Sequence, residues 1–375
     1  MTTVQALPLI DHHCHGVVAG PLDGPAVEAL LSESPAAPPP GASAFDSQLG
    51  FAVRRWCAPL LDLEPSVPPG RYLERRAELG PDEVSRRLLR AAGVEAWLVD
   101  TGYQSDQVLT PAQLAEASGG PAHEIVRLEA VAERVARGGT DAAGYPAAFA
   151  GALADATRDA AGLKSIAAYR YGLGFEPGRP SAADVRGAAG RWLRALEAGP
   201  ARLADPVLLR HAIWAGVDTG LPLQFHVGFG DPDVRLHRAD PSLLHDFLLA
   251  TQDAGSPVML LHCYPYHRQA GYLAHVFPHV YMDVGEALNH VGARSAAVLA
   301  EALELTPFHK MLYSSDAFGL PELYYLAAAL FRSALSAFLR SGLDEDLYTE
   351  RTAARLARML CADNARRAYQ LGDQL

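Results

Sequence analysis

Lysine is almost missing from this chain of 375 residues, because only Lys164 and Lys310 among the 32 basic residues are lysines and the rest are arginines. Arginine cannot be carboxylated and does not act as a base, so a lysine that persists against this bias suggests a need for an amine. Cysteine is also scarce, with four widely spaced residues. Their spacing argues against a disulfide framework and predicts reduced thiols.

Excess positive charge and long apolar runs are lacking too. The formal net charge is -11 and the pI is near 5.7, which argues against a nucleic-acid or anionic-membrane partner. No basic segment followed by an apolar one opens the chain, and no apolar run approaches the roughly 20 residues that span a bilayer. We therefore expect a cytoplasmic protein that acts on a small-molecule substrate, and self-association into a homo-oligomer is compatible with these features.

The run Asp11-His12-His13-Cys14-His15 ends the first apolar stretch of the chain. Residues i and i+2 of a strand share a face, so His13 and His15 are predicted to direct their imidazoles at one point. His12 and Cys14 are predicted to face the opposite way. A short histidine cluster also occurs in solvated N-terminal segments, so the pair indicates a metal site only together with further ligands.

Three later residues can complete such a site. His226, His262 and Asp316 each follow a strand-like apolar run, as the first histidines do. Neutral imidazoles and a carboxylate suit a divalent ion of borderline softness. Four apolar runs that each end in a candidate ligand are hard to obtain by chance.

Strand-like runs alternate with amphipathic helical patterns along the chain, which is typical of βα units in a parallel sheet. Strands are predicted near residues 7–12, 94–100, 124–129, 162–169, 221–226, 258–262, 280–284 and 310–315. Helices are predicted at 181–197, 206–218, 241–252 and 321–339. The pattern indicates an α/β fold, a (β/α)8 TIM barrel over residues 1–375, with catalytic groups at the carboxyl ends of the strands. The third strand could equally be helical.

Two segments depart from the repeat. A helical insertion is predicted at about 20–80, after strand 1, with helices at 45–61 and 71–79. It could serve as a lid, a dimer contact or a simple decoration. A helix at 346–371 closes the barrel, with Asp363-Asn364-Ala365 expected to cap its last portion.

Several of these motifs together resemble the amidohydrolase superfamily: Asp11-His12-His13-Cys14-His15, Gly162-Leu163-Lys164-Ser165, Phe225-His226-Val227-Gly228, Leu261-His262 and Tyr313-Ser314-Ser315-Asp316. The segments 127–129, 169–173 and 364–365 resemble the branch that precedes a glutamine-synthetase-like domain in fungal and plant proteins. The resemblance spans nearly the whole chain apart from the insertion. No glutamine-synthetase-like portion is present in this chain, so a function that requires it is not implied.

The resemblance implies a metal-dependent hydrolase of amide (C–N) bonds, with a γ-glutamyl or other carboxylate-bearing amide as substrate. His13, His15 and Asp316 would hold a divalent ion, with zinc expected and manganese or iron as alternatives. Asp316 would also accept a proton from the attacking water. His226 would bind the same ion or a second one. His262 would be a further ligand or would polarise the substrate carbonyl.

Three further residues have open assignments. Lys164 could be carboxylated and bridge two ions, or could be a structural lysine paired with Glu129. On a strand that ends near residue 169 it would lie too deep to reach the mouth, so one ion is favoured over two. Arg170 would then grip a substrate carboxylate or form a rim salt bridge. Glu286, after the seventh strand, could bind a substrate amine or be solvated.

Two other functions remain open on the sequence. Related barrel enzymes catalyse non-hydrolytic reactions with the same ligand types, so a metal-dependent decarboxylase or isomerase is an alternative. A non-catalytic barrel scaffold is a second alternative. The presence of all the candidate ligands speaks against the scaffold, which needs none of them.

Overall fold

Seven parallel strands form one curved sheet in the order of the sequence. A computed structural model describes residues 4–196, 199 and 201–372. Every neighbouring pair of strands is parallel. The strands are β1 (Leu9–Cys14), β2 (Val94–Asp100), β3 (Ala122–Arg127), β4 (Gly162–Ser165), β5 (Leu223–His226), β6 (Val258–Leu261) and β7 (Val280–Met282).

An extended segment at 311–317 stands where the eighth strand was predicted. These described residues form only an isolated bridge to β7, yet they hydrogen-bond to both edges of the sheet. The Leu312 amide donates to the Met282 carbonyl at 2.9 Å, and the His12 amide donates to the Tyr313 carbonyl at 3.1 Å. The barrel architecture is therefore confirmed, with this segment lying between β7 and β1.

Helices cover the outside of the sheet. They are α1 (Gly24–Ala29), α2 (Gln48–Trp56), α3 (Pro69–Leu79), α4 (Pro81–Ala91), α5 (Pro111–Ser118), α6 (Leu128–Arg137), α7 (Tyr145–Ala156), α8 (Ala167–Arg170), α9 (Ala182–Ala195), α10 (Pro206–Asp218), α11 (His245–Thr251), α12 (His267–Val276), α13 (Gly285–Val291), α14 (Ser295–Ala302), α15 (Pro321–Asp344), α16 (Glu350–Arg358) and α17 (Asn364–Ala368). Short 3-10 turns are Val4–Ala6, Ala58–Leu61, Leu236–Arg238, Pro241–Leu244, Gly292–Arg294 and Phe308–Lys310.

Most of the predicted helices are present, and the ends of several differ from the predicted ones. α10 has the predicted bounds, and α9 begins after Ser181, whose side chain accepts a hydrogen bond from the Asp184 amide as an N-cap. Glu197, the predicted end of that helix, lies outside the described residues. The ambiguous region near the third strand divides into β3 followed directly by α6.

The C-terminal helix differs from its prediction. It is divided into α16, a π-helical turn at Met359–Asp363, and α17. Asp363 makes no capping hydrogen bond with its side chain. The neighbouring Asn364 instead donates to the carbonyls of Phe308 and Met311, at 2.7 and 2.8 Å, and so fixes the start of the segment that closes the barrel.

The helical insertion after β1 packs against α15 through its own small core, which includes Phe45, Val53 and Leu326. A buried ion pair between Arg76 and Glu322, at 2.7 Å, joins the two parts. Among the described residues α15 is also the one helix long and apolar enough to cross a bilayer. It is packed against α4, α13 and α14, which is the environment of a core helix.

The sheet separates two apolar layers. Along β6, Val258 and Leu260 pack outward with the helices, whereas Met259 and Leu261 pack inward. This alternation identifies the inward-facing cluster as the floor of the barrel interior. The floor consists of Ile10, Ala96, Leu98, Ile125, Met259, Leu261 and Leu312, with Ala362, Ala365, Ala368 and Tyr369 from the C-terminal segment beneath.

Candidate metal centre and adjoining cavity

A bulge in β1 places two consecutive histidines inside the barrel. Asp11 pairs with Trp97 and Cys14 pairs with Val99, so three steps along β1 oppose two along β2. His12 therefore also faces inward, and the prediction that it faces the helices is wrong. Its Nε2 lies 2.9 Å from Asp283 Oδ2, and its Nδ1 lies 2.9 Å from the Tyr369 hydroxyl.

The predicted ligands converge around Asp316. The Nε2 atoms of His13 and His15 lie 2.9 and 3.5 Å from Asp316 Oδ1. His262 Nε2 lies 3.5 Å from Asp316 Oδ2, and the His226 ring is 4.3 Å from the His262 ring. The ends of β1, β5 and β6 and the 311–317 segment thus bring these side chains to one point, although His13 and His15 are more than 200 residues from the others in sequence. We name them the His/Asp cluster.

The hydrogen bonds of the rings leave nitrogen atoms free for a ligand. His262 Nδ1 lies 2.7 Å from the Val227 carbonyl, and His15 Nδ1 lies 3.3 Å from the Asp100 carbonyl. A carbonyl only accepts, so Nδ1 carries the proton and Nε2 presents its lone pair. Within the described part of the chain, the buried Nε2 atoms of His226 and His262 have no hydrogen-bond partner. This donor set fits a divalent ion.

The charge states of the cluster suit the same purpose. Burial lowers the pKa of His226 and His262, and burial together with the nearby Lys164 lowers the pKa of His13 to about 3, so the rings are neutral. Burial opposes the ionisation of Asp316, but the adjacent His262, His13 and His15 outweigh it and hold the pKa of this carboxyl well below its usual range.

Two members of the cluster sit in strained backbone. Asp316 has φ 48° and His262 has φ 46°, a left-handed conformation that a side chain rarely adopts. The Asp316 amide donates to the His13 carbonyl at 3.0 Å, and the His262 amide donates to Asp283 Oδ1 at 2.8 Å. These bonds hold the two strained residues in place, as is common where geometry serves a site.

Lys164 reaches the cluster, contrary to its prediction. β4 ends at Ser165 rather than near residue 169, so Lys164 lies one residue from the strand end. Its Nζ is 2.8 Å from His13 Nε2, and burial lowers its pKa. Glu129, its predicted alternative partner, instead accepts from the Ser165 hydroxyl and the Ile166 amide. The reason given for expecting a single ion is therefore wrong.

Asp283 is a supporting residue that the sequence analysis missed. Its Oδ1 accepts from the His262 amide, the Gly285 amide and the Ser314 hydroxyl at 2.7–2.8 Å, and its Oδ2 contacts His12. The bond to the His262 amide helps to fix a candidate metal ligand, and residues that support ligands in this way are common around metal sites. Asp283 directly follows β7, so the pattern that identified His226 and His262 would also have identified it.

A cavity of about 240 Å³ opens beside the cluster. It is lined by His15, Glu33, Tyr103, Arg127, Lys164, Ile166, Tyr169, Arg170, Arg202, His226, Asp231, Asp233, Glu286, Asp316 and Phe318. Arg170 lies in this wall and pairs with Glu133 at 2.9 Å, while its buried Nε has no partner among the described residues. The rim salt bridge considered for Arg170 is therefore present, and a donor without a partner remains beside it.

Glu286 is not in an exposed loop. It belongs to α13 and is only 9% exposed, and burial and the neighbouring Glu33 raise its pKa well above the usual value. One carboxylate oxygen of Glu286 lies within 4.8 Å of ligand atoms of His262 and Asp316. In a second group, Glu286 lies within 4.8 Å of ligand atoms of Glu33 and His290. Sequence reasoning missed Glu33 and His290. Glu33 comes from the insertion and His290 from α13, and neither directly follows a strand pattern.

The fold and the ligand set define a class of metal-dependent enzymes built on α/β barrels. A family model described as "Amidohydrolase" matches residues 10–371, so the chain belongs to the amidohydrolase family. It is similar to a protein from Lactobacillus casei provisionally assigned as a metal-dependent hydrolase, with 30% identity and a TM-score of 0.86 over 98% of this chain and 96% of that one.

Other relatives show how far the likeness extends. Protein fluG of Emericella nidulans is 33% identical over 239 residues, which are 60% of this chain but 28% of that protein, so the chain spans about a quarter of its length. Glucuronate isomerase from Caulobacter crescentus has a TM-score of 0.65 at 17% identity, over 100% of this chain and 93% of that one. A uronate isomerase from Bacillus halodurans has a TM-score of 0.63 at 14% identity, over 99% and 95%. The isomerases share the fold.

Proposed function

We propose that the protein is a metal-dependent hydrolase that cleaves an amide bond of a carboxylate-bearing substrate, such as a γ-glutamyl amide. The observation that carries the proposal is the convergence of neutral imidazoles with free Nε2 atoms on the ionised Asp316, beside a cavity that contains arginines. A general base and a polarising group adjoin a space that can hold a small substrate.

His13, His15 and Asp316 would hold the ion, with His226 and His262 as the further candidates. A divalent ion, for which zinc suits the imidazoles best, supplies a water that loses its proton near neutral pH. Asp316 is an ionised carboxylate at the cavity wall and accepts that proton. His262, held by the Val227 carbonyl and the Asp283 carboxylate, orients the substrate carbonyl.

Arg170 would bind the substrate carboxylate. Its Nε lacks a partner in the described structure, and the pair with Glu133 fixes the plane of the guanidinium. A guanidinium in a fixed plane can donate from a second edge to a carboxylate. The carboxylate would then lie at the wall of the cavity that is also lined by Lys164 and Arg202.

One ion is the minimum that the His/Asp cluster would hold. Lys164 decides whether a second can bind, because a carboxylated lysine at this position would bridge two ions as it does in other superfamily members. Its lowered pKa makes the neutral amine, which is the form that carboxylation needs, more accessible.

Hydrolysis in water labelled with oxygen-18 tests the proposal. The metal-loaded protein is given γ-glutamyl amides, and the acid product is analysed by mass spectrometry. One labelled oxygen per turnover is expected. Turnover of other substrates without incorporation of label would contradict hydrolysis and favour the isomerase or decarboxylase, and the matched variant Glu116→Gln, on the exposed face of α5, controls for purification effects.

A further inference from the structure

The space beside the His/Asp cluster has two sides of opposite charge. A second cavity, of about 470 Å³, adjoins the first, and both are lined by Glu33, Asp231, Asp233 and Glu286. Arginines and Lys164 line only the first, and the described residues around the second include neither lysine nor arginine. One end of the combined space is therefore acidic.

Three of these four carboxylates have no cationic partner among the described lysines and arginines. Asp233 pairs with Arg202 at 3.0 Å, but Glu33, Asp231 and Glu286 form no ion pair with a described lysine or arginine. The two glutamates adjoin His290, whose Nε2 lies 3.8 Å from Glu33 and 3.9 Å from Glu286. Burial lowers the pKa of His290 to about 4, so this ring is neutral and supplies no cation to the two glutamates. We name Glu33, Asp231 and Glu286 the acidic subsite.

Glu286 supplies the independent indication of a ligand. It is 9% exposed and lines both cavities, and its buried Oε2 accepts no hydrogen bond from any described residue. Burial without a partner is costly for an ionised carboxylate, in line with the raised pKa of Glu286, and a cation beside it would stabilise the ionised form. The arrangement thus presents an acceptor toward the substrate space.

We infer that the acidic subsite binds an ammonium group of the substrate, so that the acyl part of the scissile amide carries both an ammonium and a carboxylate group. The inference rests on the proposed function, since Arg170 takes the carboxylate at the other side. Tyr103 and Phe318 line both cavities, and their ring centroids are 4.9 Å apart. Aromatic walls beside carboxylates favour an organic ammonium over a hydrated metal ion.

A matched pair of chromogenic amides tests the inference. The compounds γ-glutamyl-4-nitroanilide and glutaryl-4-nitroanilide differ only in the ammonium group. The first is expected to have a kcat/KM roughly 10- to 100-fold higher, the range for a charge-assisted hydrogen bond. Glu286→Gln and Glu33→Gln should largely abolish the preference, whereas the surface variant Glu116→Gln should keep it.

A binding measurement separates this inference from the proposed function. Calorimetry compares L-glutamate with glutarate on wild type and on Glu286→Gln, and it needs no hydrolysis. Tighter binding of glutamate without cleavage of either anilide supports the acidic subsite and contradicts the amidase proposal. Equal binding of the two, or binding of neither, overturns the subsite. Loss of a metal equivalent in both Glu33→Gln and Glu286→Gln would also overturn it, by assigning the cluster to a metal ion.

Discussion

The two ends of the barrel interior differ sharply although the same strands build both. The floor is apolar, with residues such as Ile10, Leu98 and Met259 fully buried. Further along the strands, the inward face presents His13, Lys164 and other polar groups. The floor stabilises the fold by burying apolar area, whereas the mouth keeps polar atoms without protein partners. Stability and chemistry are therefore separated along the barrel axis.

The changeover is sharpest within β1. Ile10 belongs to the floor, His12 to a middle network with Asp283 and Tyr369, and His13 to the cluster. The bulge makes this succession possible, because without it His13 would face the helices. The comparison predicts that substitutions at the mouth affect activity and that those at the floor affect stability.

The largest effect on activity is expected for Asp316→Asn. The amide keeps the size of the side chain but cannot accept a proton or bind an ion as an anion. We expect kcat to fall by about 10³-fold, within the range for general-base catalysis, while the unfolding midpoint stays near that of wild type. A kcat within tenfold of wild type would remove Asp316 from the proposed role.

Lys164→Met should have the next largest effect. Methionine retains much of the apolar stem but lacks the amine that lies 2.8 Å from His13 Nε2. Activity is expected to fall by roughly 10- to 100-fold, as for residues that tune a ligand. Metal analysis of the same sample shows whether the ion count also falls from two to one. Unchanged activity together with unchanged metal content would make Lys164 a structural residue.

Asp283→Asn tests the hydrogen-bond network that His12 forms with Asp283 and Tyr369. It preserves shape but weakens the hydrogen bond with His12 and the bond that positions the His262 amide. Metal affinity is expected to fall by about tenfold, which is the lower end of the range for residues that hydrogen-bond to metal ligands. Some loss of stability is also expected. Competition with a chelator measures the affinity. An unaltered affinity in a destabilised protein would assign Asp283 to folding alone.

Leu98→Ala should leave kcat unchanged and lower the free energy of unfolding. Leu98 is fully buried in the floor, so the substitution creates a cavity that costs about 2–5 kcal/mol. Urea unfolding followed by circular dichroism gives the change in stability. A large drop in kcat at 25 °C in folded Leu98→Ala protein would contradict the separation of floor and mouth.

The barrel and most of the candidate ligands could be predicted because they depend on short patterns. An apolar run that ends in His226 or His262 indicates a buried strand and the residue at its mouth, and the parallel topology then brings these ends together. Asp283 follows the same pattern but was missed, because the seventh strand was predicted to extend to residue 284, whereas β7 ends at Met282.

Other features depend on strand pairing or on distant chain segments. The orientation of His12 follows from a bulge that is set by pairing with β2, and the reach of Lys164 follows from the end of β4 at Ser165. Simple alternation describes neither. Glu33 joins the cavity because the insertion packs on α15, which no local pattern specifies.

The central claim is that the His/Asp cluster binds a divalent ion, and elemental analysis of freshly purified protein tests it most directly. Wild type is expected to contain at least one equivalent of a divalent transition metal per chain. Asp316→Ala is expected to lose most of it while remaining folded, and the surface variant Glu116→Gln to retain it. Wild-type protein that contains no metal although no chelator was used in its purification would contradict the account. An equal metal content in wild type and Asp316→Ala would also contradict it.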